Sequence, residues 1–276
     1  LTGPDRFDRA RRQIVDIDKA AEMIRSRGRV MAFTGAGVSA ESGISTYRDP
    51  GGLWDRYGSE GMLSVLARHP DQAHEILGGF FSALEAARPN PAHVALARLE
   101  ALGYLDAVAT QNVDSLHREA GNRTVFELHG SLQRLRCLAC GRKQGLERSE
   151  LFDIVRRALA RTAGFSLVEF ARHFPACDCG GPTRLDFVSF GESVQDLPQA
   201  MDSARACRVM LIIGTSGLVY PAASLPEIAK TAGAALIEVN ARESELTPLC
   251  DLFVQSRAGE ALPLIVERLD ASPGQP

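Results

Sequence analysis

The sequence predicts an α/β architecture: a parallel sheet covered by helices, carrying a second, smaller module. Three observations predict it. Short β-rich runs alternate with longer helical patterns along most of the chain, which is how parallel strands with helices on both faces are encoded. A glycine-rich turn follows the first of these runs. Two segments break the alternation, and one of them holds four of the six cysteines as two close pairs.

The strand runs, in order, are 29–34, 107–110, 124–128, 208–213 and 234–240, with 252–254 as a weaker sixth. Helical patterns lie between and around them at 16–26, 91–102, 196–206, 221–231 and 259–270. The first interruption, 51–88, reads as a loop and two helices; the second, 131–183, brackets a helical pattern with the cysteine pairs. The expected division is therefore a larger domain from 8–50, 91–131 and 184–270, and a small domain from 51–90 and 132–183. The first four residues and 271–276 are expected to be loose ends, and no internal repeat or low-complexity tract is present.

Composition narrows the function classes. With 45% hydrophobic and 24% charged residues among 276, the chain has the make-up of a globular protein with a full core. A formal net charge of -3 offers no broad basic surface for a nucleic-acid backbone, so direct nucleic-acid binding is not expected. The longest unbroken apolar run, Val209–Ile213, is far short of the ~20 residues that span a bilayer, so no membrane partner is expected either. Asp5, Arg6, Asp8, Arg9, Arg11 and Arg12 stand where a secretory leader would be apolar, and a soluble, cytoplasmic protein is expected. Oligomeric state is not readable from the chain. Cys207 and Cys250 stand alone beside apolar segments and read as small buried hydrophobes.

In open parallel sheets ligands bind beyond the carboxyl ends of the strands, so the strand ends carry the functional argument. The first runs into Gly35-Ala36-Gly37-Val38-Ser39-Ala40, a G-x-G-x-x-A turn whose glycines let backbone N–H groups approach a pyrophosphate; a tight turn without a ligand is the other reading. The next residues, Glu41 to Asp49, read as a polar loop rather than a long helix. Within them Arg48 and Asp49 are suited either to phosphate charge or to a solvated surface pair. The second strand ends in Gln111, Asn112 and Asp114, amide and acid groups suited to ribose hydroxyls, a carboxamide or a positioned water. Asp114 could instead, or in addition, cap the following helix through an Asx turn. The third ends in His129-Gly130, a histidine suited to accepting a proton near neutrality or to a structural hydrogen bond. The fourth ends in Gly214-Thr215-Ser216 and the fifth in Asn240, small donors suited to phosphate or ribose.

Cys137-Leu138-Ala139-Cys140 and Cys177-Asp178-Cys179 supply four thiolates, enough to close a tetrahedral zinc site with no open position, which marks a structural metal; free thiols or a redox pair are the alternatives.

Taken together these segments resemble a sirtuin. The resemblance is carried by Gly35 to Asp49, Gly51-Gly52-Leu53-Trp54, Thr110 to His117, His129-Gly130, the cysteine pairs, Phe190-Gly191-Glu192, Gly214-Thr215-Ser216 and Asn240, in the family's order. It implies a Rossmann-type parallel-sheet domain with a smaller zinc-binding and helical domain, and an NAD-dependent protein lysine deacylase of bacterial type. It implies that Gly35, Ala36, Gly37, Ser39, Glu41, Tyr47, Arg48 and Trp54 surround NAD, and that Gln111, Asn112 and Asp114 line the pocket where nicotinamide leaves. Gly214, Thr215, Ser216, Asn240 and Ala258 would hold the adenosine half, and His129 would be the general base, with Asn112 and Asp114 also counted as catalytic. Cys137, Cys140, Cys177 and Cys179 would bind structural zinc. Phe190, Gly191 and Glu192 resemble the strand segment that pairs with the backbone of an acyl-lysine protein substrate. The products implied are nicotinamide, the free lysine and O-acyl-ADP-ribose.

The chain departs from the family in three places. The second cysteine pair is C-x-C rather than C-x2-C; the 36 residues between Cys140 and Cys177 are a long insert; and Leu185-Asp186-Phe187-Val188 replaces Pro-x-Val-Val. The desuccinylating branch carries a Tyr and an Arg three residues apart before the Pro-x-x-His segment, where this chain has Phe81 and Leu84. That implies a preference for neutral acyl groups over acidic ones; the other reading is that Phe81 and Leu84 only pack the small domain and do not reach the acyl pocket. An NAD hydrolase or ADP-ribosyltransferase using the same site, or a non-catalytic NAD or ADP-ribose sensor, are the competing functions. A nicotinamide-dependent oxidoreductase fits less well, since no acidic strand end follows the glycine turn at the required distance.

Overall fold

A computed structural model describes residues 3–45, 62–69, 71–160 and 170–271. Six strands, β1 (Val30–Thr34), β2 (Leu105–Thr110), β3 (Val125–Glu127), β7 (Val209–Ile213), β8 (Ala235–Asn240) and β9 (Leu252–Gln255), form one sheet in the order β3-β2-β1-β7-β8-β9. Every pairing in it is parallel. Counted within the sheet this is 3-2-1-4-5-6, the doubly wound Rossmann order, and the winding reverses between β1 and β7. A crevice therefore opens beyond the carboxyl ends of those two strands. Val30–Thr34 and Val209–Ile213 are buried along their whole length, which is why both read as continuous apolar runs rather than alternating ones.

Helices cover both faces. On one, α1 (Gly3–Arg27), α4 (Pro91–Ala101) and α9 (Ala258–Asp270) bury Ile17, Ile24, Leu96, Leu99, Leu262 and Ile265 against the sheet. On the other, α7 (Leu197–Ala206) and α8 (Leu225–Thr231) bury Ala200, Ala204, Leu225 and Ala229 beside Met210 and Ile212. The start of α4 is set by chemistry legible in the sequence. Asn90 is the N-cap, its side-chain oxygen accepting from the backbone N–H groups of Ala92 at 2.9 Å and His93 at 3.4 Å, and Pro91 follows at the first helical position.

Between the halves of the sheet the chain builds a separate apolar cluster. It contains α2 (Met62–Arg68), α3 (Ala73–Ala86), α6 (Arg148–Ala160) and a small antiparallel sheet, β5-β4-β6, of β4 (Gly130–Cys137), β5 (Lys143–Gly145) and β6 (Thr183–Phe187). Leu66, Leu77, Phe81, Leu84, Leu135, Leu151, Ile154 and Phe170 are buried in it. β4 begins directly after His129, so this small sheet is tied to the end of β3.

Several boundaries differ from the expectation. The segment Ala36–Ser42 is a short 3-10 helix closed by Gly43 in the left-handed region, where a polar loop was expected from residue 41 on. α1 begins at Gly3 rather than near residue 16, and β2 begins at Leu105. The pattern at 221–231 divides into a 3-10 turn, Ala222–Ser224, and α8. Among the described residues no helix is long and apolar enough to cross a membrane.

Candidate functional site

The crevice at the β1/β7 reversal gathers the strand-end residues. Gly35 to Ser39 leave β1, Gln111 to Asp114 leave β2, and Gly214 to Ser216 leave β7. The glycines of the first turn answer first to a demand within the protein. A Cβ on Gly37 would stand 2.7 Å from the Cα of Gly214, and one on Gly214 would stand 2.5 Å from the Val38 nitrogen. On Gly35 a Cβ would meet the Thr215 Cβ at 2.8 Å and the Gln111 Oε1 at 3.0 Å. The two turns thus pack backbone to backbone, locked by the Gly37 N–H donating to the Gly214 carbonyl at 2.8 Å. Approach to a pyrophosphate, the reason offered by the sequence, is not what fills the space beside these α-carbons.

Polar bonds lace the strand ends together. Thr215 Oγ1 donates to Gln111 Oε1 at 2.8 Å, bridging the ends of β7 and β2 over Gly35. Asn240 at the end of β8 donates through Nδ2 to the Thr215 carbonyl at 2.9 Å. Asn112 Nδ2 donates to the Gly35 carbonyl at 3.2 Å and to Ser39 Oγ at 3.0 Å. Ser39 Oγ donates to Asp114 Oδ2 at 2.7 Å, and Asp114 Oδ1 accepts from the Leu116 N–H at 3.0 Å. Asp114 therefore both makes the local turn into the short helix α5 (Leu116–Glu119) and reaches the first loop. Burial pushes its carboxyl pKa up, and the hydrogen bonds from Leu116 and Ser39 act against that rise.

His129 sits at the mouth of this group, partly exposed. Its Nδ1 lies 3.0 Å from the Gln111 carbonyl oxygen. A carbonyl only accepts, so Nδ1 carries the proton and Nε2 keeps a lone pair. Burial lowers the pKa of this imidazole, keeping that lone pair available at neutral pH.

Glu41 turns away from the strand ends. Its Oε2 accepts from the Gly259 N–H in the first turn of α9 at 2.7 Å, a carboxylate at the positive end of a helix, next to Ala258. Ser216 lies in the Thr215 turn, half-buried. Tyr47, Arg48, Asp49 and Trp54 lie outside the described residues. Phe190-Gly191-Glu192 is a turn after β6, not a strand: the Glu192 N–H donates to the Ser189 carbonyl at 3.0 Å and Gly191 has φ +88°. Phe190 is 71% exposed on it, while the Glu192 carboxylate is held by Arg136 and Arg184.

The four paired cysteines come together with all their sulfurs within 4.8 Å of one another, Cys137 to Cys179 at 3.6 Å and Cys140 to Cys177 at 3.8 Å. Four thiolates ~2.3 Å from a tetrahedral zinc stand roughly 3.8 Å apart, so the donor set fits that metal. The Cys140 and Ala139 N–H groups point at Cys137 Sγ and lower its pKa, while the neighbouring thiols raise that of Cys179, so the cluster favours one thiolate first and resists the rest until a cation is present. The shortened C-x-C half is completed by Gly180, at φ +80°, and by Gly181, where a Cβ would stand 2.7 Å from the Ala139 Cβ and 3.0 Å from Cys137 Sγ. Cys207 is buried and Cys250 half-buried, and burial raises their thiols to about 11 and about 12.

Residues to which the sequence reading gave no role complete the site. His93 and His117 are buried behind Ser39 and Thr34, their rings 4.8 Å apart. Asp186, at the variable position of the Leu185-Asp186-Phe187-Val188 stretch that replaces Pro-x-Val-Val, is fully buried; it accepts from Arg134 at 2.6 Å and from Gln195 at 2.8 Å. Arg134 also reaches Glu127 at the end of β3, two residues before His129. A lone charge in a strand signals such a network only when its partners are known, and these lie up to 52 residues away.

Comparison with known proteins adds a family. The Sir2 family model matches residues 35–221. An NAD-dependent protein deacylase of Desulfosudis oleivorans is 43% identical over 260 residues, 92% of this chain and 95% of that protein. One from Pyrococcus abyssi is 42% identical over 258 residues, 92% of this chain and 98% of that protein. Among solved structures, a Sir2 homolog–NAD complex superposes with a TM-score of 0.74 at 37% identity, covering 92% of this chain and 93% of the other.

Proposed function

The chain belongs to the Sir2 family, and from that premise we propose that it is an NAD-dependent protein lysine deacylase in which His129 is the general base. The observation that carries the residue assignment is the tautomer of His129: the Gln111 carbonyl holds Nδ1–H and leaves the Nε2 lone pair at the mouth of the crevice.

NAD is consumed as a co-substrate, its departing nicotinamide leaving a ribose carbon that the acyl oxygen of the lysine attacks. The residues of the chain orient and exchange protons around that event. The N–H groups of Gly35, Gly37, Val38 and Gly214 and the hydroxyls of Ser39 and Thr215 bond within the protein, so these turns would meet the phosphates and riboses through the Ala36 N–H and the backbone and hydroxyl of Ser216. Asn112 and Asp114 border the position from which nicotinamide leaves. His129 takes a proton from a ribose hydroxyl, which frees that oxygen to attack the acyl carbon. Water then releases the free lysine and O-acyl-ADP-ribose. The exposed Phe190 offers an apolar side chain to a substrate peptide. Structural zinc at Cys137, Cys140, Cys177 and Cys179 would cross-link the small sheet without entering the chemistry.

The acyl group preferred is neutral. Phe81 and Leu84, 5% and 3% exposed, belong to the apolar cluster, with Phe81 packed on Phe80 and Phe170. Neither supplies a hydroxyl or guanidinium to a second carboxylate. Arg148 lies near, but its guanidinium is spent on the Leu84 and Ala87 carbonyls and on Glu119. Where the acyl chain reaches these residues, an unpaired carboxylate would cost several kcal/mol, whereas each added methylene would stabilise by about 0.8 kcal/mol; both side chains are otherwise core residues of the small cluster.

Two measurements test this. His129→Ala is expected to lose ~10²–10⁴ in deacylation rate while still binding NAD; turnover near that of the wild type would remove the base assignment. A panel of acetyl, butyryl, long-chain acyl and succinyl peptides is expected to rank succinyl last by kcat/KM. Succinyl as the best substrate would overturn the pocket reading. Nicotinamide release that needs no acyl-lysine would favour NAD hydrolysis instead.

A further inference from the structure

The turn after β6 is hung on the backbone beside His129. It starts where the Val188 N–H donates to the His129 carbonyl at 2.8 Å and ends where the Gln195 N–H donates to the Leu128 carbonyl at 2.9 Å. Two adjacent carbonyls thus hold the two ends of the segment that carries Phe190. Beside it β4 parts from β6 for three residues: Ser131 pairs with Asp186 and Leu135 with Leu185, so Leu132, Gln133 and Arg134 form a bulge. The Arg134 guanidinium then bonds three separate segments. It donates through Nε to Asp186 at 2.6 Å, through Nη1 to Glu127 at 3.2 Å and through Nη2 to Gln195 Oε1 at 3.1 Å.

Only one orientation of the Gln195 amide fits these partners. Its Oε1 faces Arg134 and Lys143, groups that only donate, so its nitrogen faces Asp186, whose Oδ1 accepts at 2.8 Å. Asp186 is fully buried, with Lys143 at 3.5 Å and Arg136 at 3.7 Å as further cations. One of its oxygens therefore serves β4 and the other serves the far end of the turn. We infer that Asp186 is a positioning residue for the substrate peptide: by fixing the Gln195 amide it closes the Phe190 turn and holds it in one place beside His129. This role rests on the deacylase reading, in which that turn meets the peptide. His129 itself is held elsewhere, by the Gln111 carbonyl, so a loosened turn costs peptide binding more than turnover. Glu192, bonded by Arg136 and Arg184, is a second anchor on the same turn, and the loss is partial.

Two single variants break the bond and their combination remakes it. Asp186→Asn sets an N–H group against the Gln195 amide nitrogen, and Gln195→Glu sets two carboxylates against each other. In the double variant the amide at 186 donates to the new carboxylate at 195, which still accepts from Arg134 and Lys143, while the oxygen at 186 keeps Arg134 Nε. In NAD-dependent deacylation of an acetyl-lysine peptide, each single variant is expected to raise the peptide KM about tenfold while kcat changes by less than about threefold. The double variant should return to within about threefold of the wild-type KM. Hydrogen exchange over residues 188–195, followed by mass spectrometry on the protein without substrate, should speed up about tenfold in the single variants and slow again in the double. ADP-ribose binding, measured by calorimetry, should stay as in the wild type. Should Asp186→Asn not fold, Gln195→Leu, which removes the bond and leaves Asp186 its cations, takes its place. Either a peptide KM or an exchange rate within about twofold of wild type in the single variants would overturn the assignment. So would a fall in kcat with KM unchanged, or a folded double variant no better than the single ones. A wild-type protein without deacylase activity would sink the functional reading alone, since the exchange still decides whether Asp186 closes the turn.

Discussion

Lowering the pH from 7.5 to 5.5 should destabilise the fold through its buried histidines, and His93 allows the size of the effect to be worked out. Its pKa falls from 6.5 to about 4 because burial penalises the imidazolium. A group whose folded pKa is depressed supports the fold fully above the unfolded value. That support is lost as the pH drops from about 6.5 toward 4, because the unfolded chain binds the proton first. At ~1.4 kcal/mol per pH unit the whole span amounts to about 3 kcal/mol, of which about 1.3 kcal/mol is lost by pH 5.5. His117, also lowered by burial and by its neighbour His93, acts in the same direction, whereas Asp114, raised by burial, opposes. A His93→Gln variant keeps Asp114 and the burial of His117, losing only the smaller part of the His117 shift that His93 itself causes, so the difference between the two proteins reports mainly His93. Urea unfolding followed by circular dichroism at pH 7.5, 6.5 and 5.5 measures it. The stability gap between wild type and His93→Gln should narrow by about 1.3 kcal/mol between the extremes, with little change above pH 6.5. Stability curves that stay parallel down to pH 5.5 would refute the buried neutral histidine.

Two further changes follow from the geometry. Gly130→Ala should destabilise by more than ~2 kcal/mol and abolish activity: φ is +83°, and a methyl there would overlap the Asp186 carbonyl oxygen in the β4/β6 pairing that follows His129. Thermal melting and a turnover assay on the purified variant check both parts, and a melting point within 2 °C of the wild type, roughly 0.5 kcal/mol for a chain of this size, would show the backbone to be more yielding. Removal of the metal with a strong chelator should lower the melting temperature while leaving NAD binding in any protein that remains folded, because a closed thiolate site supplies folding energy and no reactive group. A preparation that stays folded and active with well under one zinc per chain would overturn the metal assignment.

The large sheet was legible because parallel strands buried on both faces are written as continuous apolar runs, and polar residues stop those runs where the crevice begins. Where the run is interrupted the reading slips: β2 starts at Leu105, but the exposed Asp106 hides its first two residues. α1 extends back to Gly3 through a stretch rich in Asp and Arg, with no long apolar stripe to mark it. The histidine layer and the Asp186 cluster were not legible at all. Their partners are separated by 83 residues for Thr34 and His117 and by 52 for Arg134 and Asp186, and no local pattern encodes such pairings.

The glycine-rich turn shows how a motif reading can rest on an incomplete cause. Gly35 and Gly37 are motif residues, and the motif suggests a ligand against their α-carbons. In the structure that space belongs to Gly214 and Thr215, and the demand is mutual, since a side chain on Gly214 would strike Gly37 and Val38. Each turn therefore restricts the composition of the other, even before any cofactor arrives. A glycine pair after a strand consequently carries less weight for nucleotide binding than its small partner at the end of the strand across the reversal point. Only when both turns are small can they pack backbone to backbone at the reversal point where such sheets bind ligands, so the coincidence of the two, 177 residues apart for Gly37 and Gly214, is the stronger signal.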